Sequence, residues 1–329
     1  MFDLFGIYDG GSGHDSLLNE AQLASGAGGQ NLPEIIAGPH GAGVPASTLV
    51  GRRGGLQIEL LWDASVTSNP HWQAIESDVI AAAKMFTSVF TNPIVLNIAV
   101  GFGEVDGFAL APGEAGESLT NAAVGLDLPT VEALLAGADA GLVHAGLIAP
   151  DAFTALDNVA GANPFVPTAE LKAFGLSTLL PPNLIDGFIG LSSSSLALFG
   201  NIGPTQVDAV GAAAHEISEV MGRIGLEGQT LGPAPFNNLF TPFDIFRYSA
   251  PGVPDVTPSA GYFSLNDGVT ALNLFNDPNN GGDAGDWATA PANRIDAFAA
   301  FATPGVKLVV TPVDYLSLAA LGYQLPGLG

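Results

Sequence analysis

The chain contains no cysteine in 329 residues. Disulfides and thiolate metal sites are therefore excluded, and any metal ion has to be held by histidine, carboxylate, amide or carbonyl groups. Basic residues are scarce: 8 Lys and Arg stand against 32 Asp and Glu, a formal net charge of −24. Phosphate backbones and anionic membrane surfaces repel such a chain, which excludes nucleic acid as a partner class. Long apolar runs are missing as well. The stretches 94–100 and 306–310 have strand length, far short of a membrane span, so membrane insertion is not expected. The opening Met1-Phe2-Asp3-Leu4-Phe5-Gly6 turns polar and glycine-rich at once and lacks the basic-then-apolar form of a Sec signal.

What is present is 47% hydrophobic residues together with 43 Gly and 24 Pro. This composition describes a loop-rich globular protein with a core and not a disordered acidic chain. The first 55 residues are dominated by Gly, Ser, Asn and Pro, with a helix candidate only at 16–24, and read as an N-terminal extension. One domain is expected over 56–329. Residues 57–62 alternate as a strand does; 71–90 carry apolar residues at helical spacing after the Asn69-Pro70 turn, Asn92-Pro93 stops that helix, and 94–102 read as a second strand. Between 107 and 200 the chain is punctuated by Gly and Pro, with short helix candidates at 130–136 and 168–174, and reads as an insertion. A second long helix is predicted over 207–224, with Val207, Val210, Ala214, Ile217, Val220, Met221 and Ile224 on one face and Gly225 at its end. Short ordered pieces at 243–248, 261–265 and 272–275 and a terminal helix at 312–321 complete the reading.

The helix over 207–224 carries His215-Glu216-Ile217-Ser218-Glu219. Positions i and i+4 share a helix face, so His215 and Glu219 stand where two ligands of a catalytic zinc would, and Glu216 stands beside the first as a general base. The same spacing also arises on solvated helices, where His and Glu support one another weakly. Gly211-Ala212-Ala213-Ala214 before the motif and Ile217, Val220 and Met221 within and after it indicate a largely buried helix, and buried ionisable groups need partners or a metal.

The run Ala214-His215-Glu216-Ile217-Ser218-Glu219-Val220-Met221-Gly222-Arg223 resembles the active helix of a family of secreted bacterial zincin-type metalloproteases. The upstream Asn97-Ile98-Ala99-Val100-Gly101-Phe102-Gly103-Glu104-Val105 resembles the same family. So, in the same order, do Phe243-Asp244-Ile245-Phe246-Arg247-Tyr248-Ser249, Tyr262-Phe263-Ser264-Leu265, Gly282-Asp283-Ala284-Gly285-Asp286-Trp287 and Asp314-Tyr315-Leu316. The resemblance covers most of 56–323. It implies an α+β, zincin-like (metzincin-like) fold and a secreted endopeptidase acting on protein or peptide substrates through a Zn²⁺-activated water, with Glu216 as general base. This chain departs from the usual pattern by having Glu219 in place of a second histidine. The metzincin position for a third ligand falls on Gly225, which has no side chain. Asp244, the acid of the matched downstream segment, is the expected third ligand, with Glu227 as competitor and an N-cap or an ion pair with Arg247 as the structural alternative. Tyr248 is either an oxyanion donor or a core tyrosine. His14, His40, His71 and His144 lack ligand spacing and read as surface residues.

Two segments raise Ca²⁺ as a further cofactor. Residues 10–18 fit the nonapeptide G-G-x-G-x-D-x-U-x, in which Asp15 is the ligand-bearing acid, and the segment resembles proteins exported by type I secretion. Residues 276–286 concentrate Asp277, Asn279, Asp283 and Asp286 in one turn, either a hard-cation loop or an Asx-rich surface loop. The alternative to a protease is a non-catalytic extracellular surface protein, or a calcium-stabilised binding protein, that retains the framework.

Overall fold

Ile58, Leu60 and Trp62 are buried while the residues between them are half-exposed, so the alternation in the sequence becomes one face of a strand turned to the core. The computed structural model describes residues 3–9, 46–157, 159–232, 236–257 and 259–327, with the backbone alone at 3–9 and 199. Among these residues the main sheet has eight strands: β1 (Asp3–Asp9), β2 (Ser47–Gly51), β3 (Gln57–Trp62), β4 (Val95–Phe102), β5 (Gly116–Val124), β6 (Asn163–Pro167), β7 (Gly187–Leu191) and β8 (Leu239–Phe240). Their order is β8-β6-β5-β7-β4-β3-β2, with β1 paired to β5. Strands β3, β4 and β7 run parallel, whereas β5 is antiparallel to β7 and β2 is antiparallel to β3. The chief helices are α1 (Trp72–Thr87), α2 (Leu128–Ala138), α3 (Thr168–Ala173), α4 (Ala209–Val220) and α5 (Pro312–Ala319). A mixed sheet with several helices makes this an α+β protein.

Helices α1 and α4 pack on each other and on one face of the sheet. There Ile75, Val79 and Phe86 of α1 and Ala213, Ile217 and Val220 of α4 meet Leu60, Ile98, Val100 and Ile189 in the largest apolar core. The other face gathers Ala99, Leu119 and Phe188 under Val105 and Leu110. Helix α4 sits close to the sheet because the residues at the contact are small. A Cβ on Gly187 would lie 2.7 Å from both the Leu119 carbonyl oxygen and a Val220 methyl carbon, so a larger residue in β7 would push the helix off.

Two expectations about chain organisation are corrected. Residues 107–200, predicted as an insertion, supply β5, β6 and β7, the middle of the sheet. Strand β7 is buried at every position, so it shows no alternation, and its two glycines resemble loop punctuation. The predicted extension over 1–55 contributes β2, which pairs with β3, and β1, which pairs with β5. The helix predicted over 71–90 forms as α1. The one predicted over 207–224 forms as the shorter α4: Asp208 caps its start by accepting from the Val210 amide at 3.3 Å, and Gly222, at φ +114, ends it. The helix candidate at 16–24 lies outside the described residues. No described helix is long and apolar enough to cross a membrane.

Candidate metal centre

Helix α4 is continuous and capped, so His215 and Glu219 stand on one face a single turn apart, as the i, i+4 spacing requires. The His215 ring is held from both sides. Its Nδ1 lies 2.7 Å from the Ala297 carbonyl oxygen and donates to it, which leaves Nε2 facing the carboxylates: Glu219 Oε1 at 3.0 Å and Asp286 Oδ1 at 3.3 Å. A bare lone pair on Nε2 would be repelled by these oxygens, so Nε2 either carries a proton or shares a cation with them.

Asp286 arrives from the segment after the small four-stranded sheet Arg247–Ala250, Val253–Pro254, Tyr262–Phe263 and Asn273–Leu274. That segment is anchored by Trp287, which is fully buried, lies at 5.2 Å from Phe275 and 5.6 Å from Phe263 between ring centroids, and donates from its indole N–H to Asp314 Oδ1 of α5 at 2.7 Å. Arg223, just past the end of α4, completes the group. Its guanidinium reaches Asp286 Oδ1 at 2.5 Å, Glu219 Oε1 at 3.2 Å and Ser218 Oγ at 2.8 Å, and it stacks on Phe298 at 4.5 Å.

Burial works against every charge here, and the outcome at each group depends on its neighbours. Burial opposes the His215 imidazolium, but Asp286 and Glu219 outweigh it and raise the pKa well above the ordinary value. Burial also opposes the Asp286 carboxylate, yet His215 and Arg223 pull its pKa below normal. Glu216 has no such help: burial first, then the Glu219 charge, push its pKa well up. It is buried against β5, where a Cβ on Gly116 would lie 2.5 Å from Glu216 Oε1. Among the described residues, two sets of three acids or histidines offer ligand atoms within 4.8 Å of one another: His215, Glu216 and Glu219, and Glu219, Asp283 and Asp286.

Asp244, expected as the third ligand, is placed elsewhere. Its Oδ2 accepts from the amides of Thr241, Leu226 and Glu227 at 2.8, 3.1 and 3.3 Å, the acidic half of a capping box that opens the short helix Pro242–Phe246. A carboxylate oxygen occupied by three backbone donors is a structural cap, and Asp286 stands beside His215 in its stead. Glu227 pairs with Arg247 at 2.7 Å. Tyr248 is fully buried, its ring against Gly268, as a core residue. Of the oxygen-rich turn, Asp283 and Asp286 lie with Glu219, whereas Asp277 accepts from the Asn279 amide at 3.0 Å and from its side chain at 2.7 Å in an exposed Asx turn. His71 and His144 are exposed. Asp15, the nonapeptide, His14 and His40 lie outside the described residues.

Sequence reasoning passed over Arg223: it lies past the end of α4, beyond Gly222 at φ +114, so helical spacing does not place it beside Glu219. The Ala297 carbonyl and the contact of Gly116 with Glu216 have no local signal. No protein-family model, curated protein or solved structure matches the chain.

Proposed function

We propose that the chain is a zinc-dependent endopeptidase with a zincin-like framework, in which His215, Glu219 and Asp286 hold the cation and Glu216 carries the proton. The observation that carries this reading is the His215 ring, fixed through Nδ1 so that Nε2 converges with two buried carboxylate oxygens. The donor set takes His215 and Glu219 from one group and Asp286 from the other, with Glu219 common to both; one imidazole nitrogen and two carboxylate oxygens are ligands of zinc, and the hydrogen bond from Nδ1 to a backbone carbonyl fixes the tautomer a ligand needs. Charge balance fits too. Imidazolium and guanidinium neutralise Glu219 and Asp286 when Glu216 is protonated, and a divalent cation with neutral His215 and ionised Glu216 leaves the same total.

A zinc ion held there would supply Lewis acidity toward water and a peptide carbonyl. The chain's own contribution is a proton carrier, Glu216, buried beside the ligands, where burial and the Glu219 charge raise its pKa and favour the proton-bearing form. Arg223 holds the two carboxylates in place, and the aromatic cluster around Trp287 excludes water behind them. The ordered resemblance of the helix and downstream segments supports the zincin framework, and the acidic, cysteine-free composition supports a secreted protein. Asp283 extends the oxygen-rich side of the site and is the residue to test for calcium.

A second reading rests on Arg223. Its guanidinium already satisfies both carboxylates, so the same residues describe a closed ion network in a non-catalytic extracellular protein. Elemental analysis beside cleavage of an unfolded protein, with and without chelator, separates the two. The enzyme reading expects zinc and chelator-sensitive cleavage. It also expects Glu216→Gln to lose about 10²–10⁴-fold in rate with metal content and fold retained. Undiminished cleavage in Glu216→Gln would remove the mechanism.

A further inference from the structure

The carbonyl that holds His215 belongs to a segment, 295–300, whose backbone is bonded on both sides. Trp287 donates to the Phe298 carbonyl at 2.9 Å and Ala300 donates back to Trp287 at 3.0 Å; Ala297 donates to Val309 at 2.9 Å and Val309 donates to Ile295 at 2.8 Å. Ala297 thus gives its N–H to Val309 and its carbonyl to His215 Nδ1. The side chain just before it, Asp296, accepts from the Phe298 amide through Oδ1 at 2.8 Å and lies in hydrogen-bond contact with the Asp314 carboxyl of α5. Asp314 is occupied at both oxygens: Oδ1 accepts the Trp287 indole N–H at 2.7 Å and Oδ2 accepts the Thr311 amide at 2.6 Å.

Two ionised carboxylates repel and cannot form a hydrogen bond, so one proton lies between Asp296 and Asp314. Both residues are buried; burial, then the Asp296 charge, raises the Asp314 pKa, and burial raises that of Asp296. That single bond joins the supports of two ligands. Asp296 belongs to the segment that fixes His215, and Asp314 grips Trp287, the neighbour of Asp286. Neither aspartate is in a ligand group itself.

We propose that the hydrogen bond between Asp296 and Asp314 is the positioning device of the cation site, locking the Ala297 carbonyl onto His215 and Trp287 beside Asp286 so that the ligands converge before a cation binds. The inference deepens the zinc reading and rests on it for its consequence in affinity. Asp296 and Asp314 are positioning residues, because they act only through the groups they hold.

The two positions answer differently to the same substitution. In Asp296→Asn the amide oxygen still accepts from Phe298, and an N–H stands in for the shared proton toward Asp314. In Asp314→Asn the amide has one oxygen for two donors, so either Trp287 or Thr311 meets an N–H in place of an acceptor. Asp296→Asn is therefore expected to keep the device and Asp314→Asn to break it, as Asp296→Ala does.

The first readout uses the full chain stripped of metal by chelation: nitrogen–proton NMR of the His215 Nδ1 proton, identified by its absence from His215→Gln. The proton is expected in wild type and Asp296→Asn and is expected to be lost to solvent exchange in Asp296→Ala and Asp314→Asn, with the fold retained by circular dichroism. The second readout is zinc affinity by competition with a chelator, expected to fall about 10–100-fold in Asp296→Ala and Asp314→Asn and to stay near wild type in Asp296→Asn. A Nδ1 proton that persists in Asp296→Ala would overturn the proposal, as would Asp296→Asn losing it. If Asp296→Ala does not fold, the two asparagine variants carry the test, and equal behaviour of the pair overturns it. Wild type that binds no zinc would remove the enzyme reading and leave the first readout intact, so the two failures are seen separately.

Discussion

Beside α4, Glu219 and Asp286 are almost wholly buried, and each carboxylate meets both His215 and Arg223. On α3, Glu170 is buried as deeply, and neither of its oxygens has a hydrogen-bond partner; nor do Asp139 Oδ2 and Tyr323 Oη. Burial, then the charges of Asp139 and Asp244, push the Glu170 pKa well up, and burial does the same to Asp139. Two buried acid sets differ in their neighbours. Glu219 and Asp286 face two cations, whereas burial and like charges around Glu170 favour its proton-bearing form. Charge that survives burial is available to a metal and to chemistry, which is why the function is assigned to the first set and a packing role to the second.

The sharpest way to break this contrast is to remove the cation that holds the charged set. Arg223→Ala leaves two buried carboxylates short of a partner and is expected to cost about 3–5 kcal/mol in a urea titration. A cost near zero would show that the network carries no charge. Next in size is Gly116→Ala. The new Cβ at 2.5 Å from Glu216 Oε1 displaces the carboxyl, and a shift of this kind is expected to lower kcat by about a hundredfold. Fold and zinc content should be unchanged, measured by circular dichroism and elemental analysis.

The smallest effect belongs to the neutral set. A carboxyl whose folded pKa lies above its ordinary value of 4.5 binds a proton that the unfolded chain has released, so its contribution to stability is present at low pH. That contribution falls as pH rises above 4.5 toward the folded value. Glu170→Gln cannot ionise, so its urea midpoint is expected to match wild type at pH 5 and to exceed it at pH 8. Parallel pH profiles for the two proteins would show that Glu170 is charged in the folded state, against the proposed contrast.

Legibility followed periodicity. Strand β3 and helix α1 were readable because each has one buried face, which imposes a period of 2 or 3.6 on the sequence, whereas β4 was readable as an apolar run after the Asn92-Pro93 stop and α4 by its small and apolar residues around the motif. Strand β7, buried on both faces and bearing Gly187 and Gly190, carries no such period, and so the middle of the sheet was mistaken for an insertion. The site divides in the same way. His215, Glu216 and Glu219 were legible because one helix sets their spacing. Asp286 joins them from a distant loop, and Asp244 and Asp286 look alike as acids in short irregular segments. What tells them apart is the environment: three backbone amides on Asp244, two side-chain cations beside Asp286.

The central claim, that His215, Glu219 and Asp286 form a cation site, is tested most directly by measuring zinc content after chelation, reconstitution and desalting. Wild type, Asp286→Ala and Asp244→Ala are compared, each checked for fold by circular dichroism. The account expects stoichiometric zinc in wild type and in Asp244→Ala and its loss in Asp286→Ala. Wild type that retains no zinc, with the His215 ring nitrogens both protonated by NMR at neutral pH, would contradict it and leave the closed ion network as the description of the site.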